Sequence, residues 1–108
     1  MTETFPNIIQ NLPATDVGVE GVNARLLQGP DQQVVFMEFG RDVEVPEHSH
    51  EAQWGIVVAG EMTLTVDGRP STLRRGDSYF IPAGVPHSAR IKTGYSDVTL
   101  FNQVDRYS

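Results

Sequence analysis

Apolar and polar residues alternate in short runs along this chain, with turn residues between the runs. Met62-Thr63-Leu64-Thr65-Val66 alternates apolar with hydroxyl side chains. It ends at Asp67-Gly68, a strong signal for a two-residue hairpin turn. Val34 to Phe39 is β-branched and aromatic, and Gln53 to Val58 and Val98 to Phe101 share that character. Gly76-Asp77 marks another turn before Ser78-Tyr79-Phe80-Ile81. No stretch sustains a helical period. The best helical candidate lies near Asn7 to Asn11, and Pro6 and Pro13 limit it to about one turn. Residues 17 to 28 read as one or two edge strands. Many short strands at even spacing predict an all-β antiparallel sandwich or barrel.

Composition narrows the chemistry. At 108 residues the chain predicts one domain, large enough for a core. It has no cysteine, which excludes disulfides, thiolate metal sites and a cysteine nucleophile. A metal would have to be held by nitrogen and oxygen. The formal charge of -6 argues against a nucleic-acid partner. No apolar run reaches membrane-spanning length, so no membrane partner is expected. The first residues, Met1 to Pro6, lack the basic and apolar regions of a signal peptide, and the default expectation is a cytoplasmic protein.

Within this frame the histidines stand out. There are three, and His48 and His50 are separated by one residue. In a strand that spacing puts both imidazoles on one face, roughly 7 Å apart along the chain. Pro46 argues against a helix there. Gln53 would face the other way in an uninterrupted strand, but a bend at Glu51-Ala52 would return it inward with Gly55 and Val57. Trp54 would then point away, toward core or a subunit interface. His87 opens another strand after a turn with two prolines, and would share its face with Ala89 and Ile91. Glu47 and Glu51 read as solvated, and Asp77 as a turn residue. Phe36, Met37, Tyr79, Ile91 and Phe101 are candidates for a cavity wall, and Tyr79 is a weak candidate for proton transfer. No Ser-His-Asp order, phosphate loop or nucleotide fingerprint is present.

Two segments resemble the paired motifs of the cupin superfamily. The first motif is matched by His48-Ser49-His50, Gln53, and Gly60 after six intervening residues. The second is matched by Gly76, then Pro82-Ala83-Gly84, then His87. Together they cover roughly residues 40 to 91. The resemblance implies a double-stranded β-helix, or jelly-roll barrel, with one divalent transition metal at its centre. The matching ligands are His48, His50, Gln53 and His87. It also implies a barrel over residues 31–108, preceded by N-terminal edge strands in residues 1–30. In such families these strands commonly pair two subunits, so a homodimer is expected, with the apolar strand Val17 to Leu27 as the natural donor. Three positions depart from the pattern. Gln53 replaces the acidic ligand, Asp42 stands at the first glycine, and Ile91 stands where an asparagine often follows the second motif. The Ile91 change predicts a more apolar cavity.

The glutamine matters for charge. Neutral imidazoles and an amide carbonyl would leave a divalent ion its full formal charge, favouring a small anionic ligand. Nitrogen and oxygen ligation fits Fe, Mn, Ni, Zn, Co or Cu without choosing among them. Two functions follow as expectations. The first is a metal-dependent enzyme on a small organic anion, either dioxygenase-like or an enolate-type isomerase or lyase. The alternative is a non-catalytic small-molecule binding or sensing barrel. Catalytic residues beyond the ligands are not identified by the sequence.

Overall fold

Alternating segments this short bury one face only by pairing with one another. The computed structural model describes residues 4–107. Among them a single-turn helix, α1 (Asn7–Gln10), precedes ten strands. These are β1 (Ala14–Thr15), β2 (Val22–Gln28), β3 (Gln33–Phe39), β4 (Val43–His48), β5 (Gln53–Ala59), β6 (Glu61–Val66), β7 (Arg69–Arg74), β8 (Ser78–Ile81), β9 (His87–Ile91) and β10 (Ser96–Phe101). One sheet runs β1-β2-β3-β10-β5-β8 and the other β4-β9-β6-β7, with every pairing antiparallel. They form the all-β jelly-roll barrel expected from the sequence.

The core lies between the sheets. Val35, Met37 and Phe39 of β3 meet Met62 and Leu64 of β6, with Val57, Ile81, Ile91 and Phe101 from the remaining strands. The alternation of β3 is complete: Gln33, Val35, Met37 and Phe39 are buried, and the residues between them are only partly so. Asp67 and Gly68 both take positive φ, 50° and 77°, as a tight hairpin between β6 and β7 requires.

One expectation is corrected, and one strand was not expected. Residues 17 to 28 do not form free edge strands: the strand is Val22–Gln28, and it is hydrogen-bonded to β1 on one side and β3 on the other. The strand β7 escaped the sequence pattern because Arg69-Pro70-Ser71-Thr72-Leu73-Arg74 is almost wholly exposed and carries little apolar signal.

Candidate metal centre

Three elements bring the histidines together. Strand β4 pairs with β9 through Val45↔Ala89 and then His48↔His87. Three steps along β4 answer two along β9, so one residue of β4 is extra, in a β-bulge at Pro46-Glu47. Val45 faces the cavity. Without the bulge, alternation would turn Glu47 inward and His48 outward. The bulge reverses that parity, and Pro46, lacking an N–H, is tolerated at such an irregularity. His48 ends β4, and His50 lies beyond it in the bend before β5. The two therefore do not share one regular strand face, as their spacing alone suggested, yet their ring centroids are 5.2 Å apart. His87 opens β9, with its centroid 4.3 Å from that of His48 and 4.7 Å from that of His50.

The second nitrogen of each ring fixes what the first offers. His48 Nδ1 donates to the Pro46 carbonyl at 2.8 Å, His50 Nδ1 to Glu51 at 2.7 Å and His87 Nδ1 to Val85 at 3.0 Å. A carbonyl can only accept, so each Nδ1 carries the proton and each Nε2 presents a lone pair. The Nε2 atoms of His50 and His87 stand 3.2 Å apart. Two lone pairs facing at that distance repel unless a cation or a proton lies between them. Nitrogens each about 2.1 Å from a common ion stand about 3.0–3.4 Å apart, so the spacing suits shared ligation. The three histidines offer ligand atoms within 4.8 Å of one another. The residues present therefore fit a metal ion. Burial is the main cause that lowers the pKa of both His50 and His87, and the charge of Arg106 adds to it. Both effects favour the neutral imidazole that a metal needs.

The other residues singled out from sequence divide by face. Gln53 opens β5 after the bend at Glu51 and lines the same cavity as the histidines and Tyr79. Met37, Tyr79, Ile91 and Phe101 line that cavity, and the Phe101 ring lies 5.5 Å from that of His50. Phe36 does not line it. It neighbours Met37 in β3 and so points to the outer face, where its ring meets Phe5 edge-on at 5.6 Å. Trp54 also points outward and is exposed, as are Glu47 and Glu51. Asp77 accepts from the Arg74 N–H at 2.8 Å and serves the turn. Asp42, in place of a glycine, accepts from both the backbone N–H and the hydroxyl of Thr93 at 2.8 Å, tying the entry of β4 to the turn before β10.

Two features of the cavity were not read from sequence. The first is Asp97 of β10, which is only 4% exposed. The hydroxyls of Tyr79 and Tyr95 donate to its Oδ2 at 2.9 and 2.8 Å. Burial pushes its pKa up to about 6, against the opposing hydrogen bonds of Tyr95, Tyr79 and Thr99. Burial likewise raises both tyrosines. Gly55 makes room for this arrangement, because a Cβ there would lie 2.3 Å from the Tyr79 ring. The expectation of a more apolar cavity thus holds only in part. Ile91, Met62 and Leu64 line it, but Asp97 returns a polar group from another strand. The second feature is Arg106, beyond the last strand. It reaches the cavity wall with its guanidinium 4.8 Å from the centre of the Tyr107 ring. The buried amide of Gln33 holds this tail, donating to the Tyr107 carbonyl at 2.6 Å and accepting its N–H at 3.0 Å. The cavity has a volume of about 150 Å³.

A family model described as a cupin domain matches residues 33–101. The chain belongs to the cupin family. Its match to the model takes in every strand from β3 to β10 and all three histidines. Among curated proteins, this cupin is 38% identical over 63 residues to quercetin 2,3-dioxygenase of Bacillus subtilis, covering 56% of this chain and 19% of that protein. It is 35% identical over 48 residues to mannose-1-phosphate guanylyltransferase of Salmonella montevideo, covering 44% and 10% respectively. The cupin therefore spans a fifth or less of the length of these curated relatives. Among solved structures, an RmlC-like cupin from Shewanella frigidimarina superposes with a TM-score of 0.78 at 30% identity, covering 89% of this chain and 87% of that one. KdgF from Halomonas sp. superposes with a TM-score of 0.75 at 24% identity, covering 87% and 90%, which speaks for the fold alone.

Proposed function

We propose that this cupin is a metal-dependent enzyme acting on a small organic anion, with His48, His50 and His87 as ligands and Gln53 available as a fourth. The observation that carries this reading is the set of three Nδ1–H groups spent on backbone carbonyls, which leaves three Nε2 lone pairs free to converge. When bound, a divalent ion would supply Lewis acidity and a template for the substrate's oxygens. The chain's own residues set what can reach it. Three neutral imidazoles and an amide bring no negative charge, and Arg106 adds a positive one at the wall, so an anion is favoured. The cavity is of the size that admits benzene. That suits a compact acid or enol better than a three-ring flavonol held wholly inside. Met37, Met62, Leu64 and Ile91 make part of the cavity wall apolar.

The test begins with protein purified without a histidine tag. Elemental analysis is expected to find about one transition metal per chain, or to find it after dialysis against a micromolar divalent ion. Oxygen uptake with compact β-diketones and enols then separates dioxygenase chemistry from enolate-type isomerase or lyase chemistry. Protein that binds neither Fe, Mn, Co, Ni, Cu nor Zn would overturn the proposal. A metal-loaded protein that binds small anions and turns none over would make it a binding or sensing barrel.

A further inference from the structure

We propose that Asp97 forms a second polar pole of the cavity, selecting ligands that carry a hydroxyl or other hydrogen-bond donor in addition to the oxyanion held at the histidines. The inference rests on the metal-site reading above and names the ligand class it takes. Asp97 is a buried carboxylate on the wall of an otherwise largely apolar space. Both tyrosine hydroxyls go to Oδ2. Oδ1 is buried and has no hydrogen-bond partner among the described residues. The Thr99 hydroxyl, which also holds the Asp97 pKa down, has a single proton, and the Tyr79 oxygen 3.2 Å away competes for it. Burying a carboxylate oxygen without a partner is costly, and native interiors rarely leave one so. A ligand donor would satisfy it.

The placement suits this role. Asp97 stands four residues along β10 from Phe101, whose ring packs on His50. The two ends of that stretch are about 13 Å apart at the backbone, and side chains from both ends shorten the gap. The Tyr79 hydroxyl, bonded to Asp97, and Gln53 both line the cavity between them. A ligand of about benzene size, with an acid group at one end and a hydroxyl at the other, matches the volume and both poles.

The experiment uses the full chain loaded with Co(II), whose visible absorption reports arrival of a carboxylate at the metal. Benzoate is compared with 3- and 4-hydroxybenzoate and 4-methoxybenzoate, and butanoate with 4-hydroxybutanoate. In the hydroxybenzoates the added hydroxyl cannot reach the ion that holds the carboxylate. At least one hydroxylated acid is expected to bind about tenfold more tightly than its parent, and the methoxy acid is expected to lose that gain. In Asp97→Asn, which keeps an oxygen for the tyrosines but turns the other position into a donor, the preference for the hydroxy acid over the methoxy acid should fall below about threefold while the parent acids bind as before. Equal binding of hydroxylated and parent acids, or a preference untouched by Asp97→Asn, would overturn the inference alone. Protein that takes up no cobalt would overturn the metal-site reading, and the inference with it.

Discussion

His50 and His87 hold their Nε2 atoms 3.2 Å apart, with the ring protons committed elsewhere. Removing either ring leaves the other without that repulsion and without a co-ligand. His50→Ala and His87→Ala should each weaken metal binding by at least on the order of a hundredfold, while circular dichroism still reports a β fold. Loss of the fold in both variants would make these histidines structural. Asp97 gives a prediction of opposite character. Its pKa in the folded protein is about 6, above the ordinary value of 3.8. Between those values the folded state binds more protons than the unfolded state, so this group costs stability as pH rises from about 4 to 6. The loss amounts to roughly 3 kcal/mol at most, from about 1.4 kcal/mol per unit. Asp97→Asn lacks this slope, so urea denaturation should show the variant gaining on the parent between pH 4 and 6 and holding that gain above. Parallel profiles would contradict it. The histidines were legible in the sequence because both motifs are local. Asp97 was not, because its strand inverts the usual pattern: Asp97, Thr99 and Phe101 face inward while Val98 and Leu100 face out. Only the pairing with β5 reveals which parity wins.

Among the elements, those with strong alternation and turn residues were readable, and those governed by their neighbours were not. β3, β5, β6 and β8 lie close to where apolar pattern and glycine turns place them. The β4 bulge is a property of the β4–β9 pair, and in the sequence Pro46 signals only that no helix forms. The tail carrying Arg106 is fixed by Gln33, distant in sequence, so nothing local announces it. Gly55 tests how tightly β5 and β8 are built around Tyr79. Gly55→Ala would drive a methyl into that ring, since its Cβ would fall 2.3 Å away. Overpacking of this kind costs about 1–3 kcal/mol. Thermal denaturation should show that loss, and an unchanged midpoint would mean that Tyr79 yields freely.

For the whole molecule, the six-stranded sheet has two unlike faces. Its inner face carries the cavity. Its outer face carries a row of apolar residues in direct register, Leu27↔Val34, Val34↔Leu100, Leu100↔Trp54 and Trp54↔Phe80. Leu27, Trp54 and Phe80 are 49%, 41% and 59% exposed. Beside this row Phe36, Val98 and Ile56 form a second. A continuous apolar face free of charge along its main row suits a second copy of the same chain packed about a two-fold axis. We therefore propose a homodimer through this face. Light scattering should give a dimer that Trp54→Glu converts to monomer. A monomer at concentrations above about ten micromolar would contradict it.

The central claim is that three imidazoles present their Nε2 atoms to one ion. Long-range proton–nitrogen NMR of the imidazole rings tests this most directly. In metal-free protein the spectra are expected to show all three rings as Nδ1–H tautomers. Added Zn(II) should then move all three Nε2 resonances together, saturating at one ion per chain. An Nε2–H tautomer that persists with Zn(II), or Nε2 signals indifferent to the metal, would contradict the account.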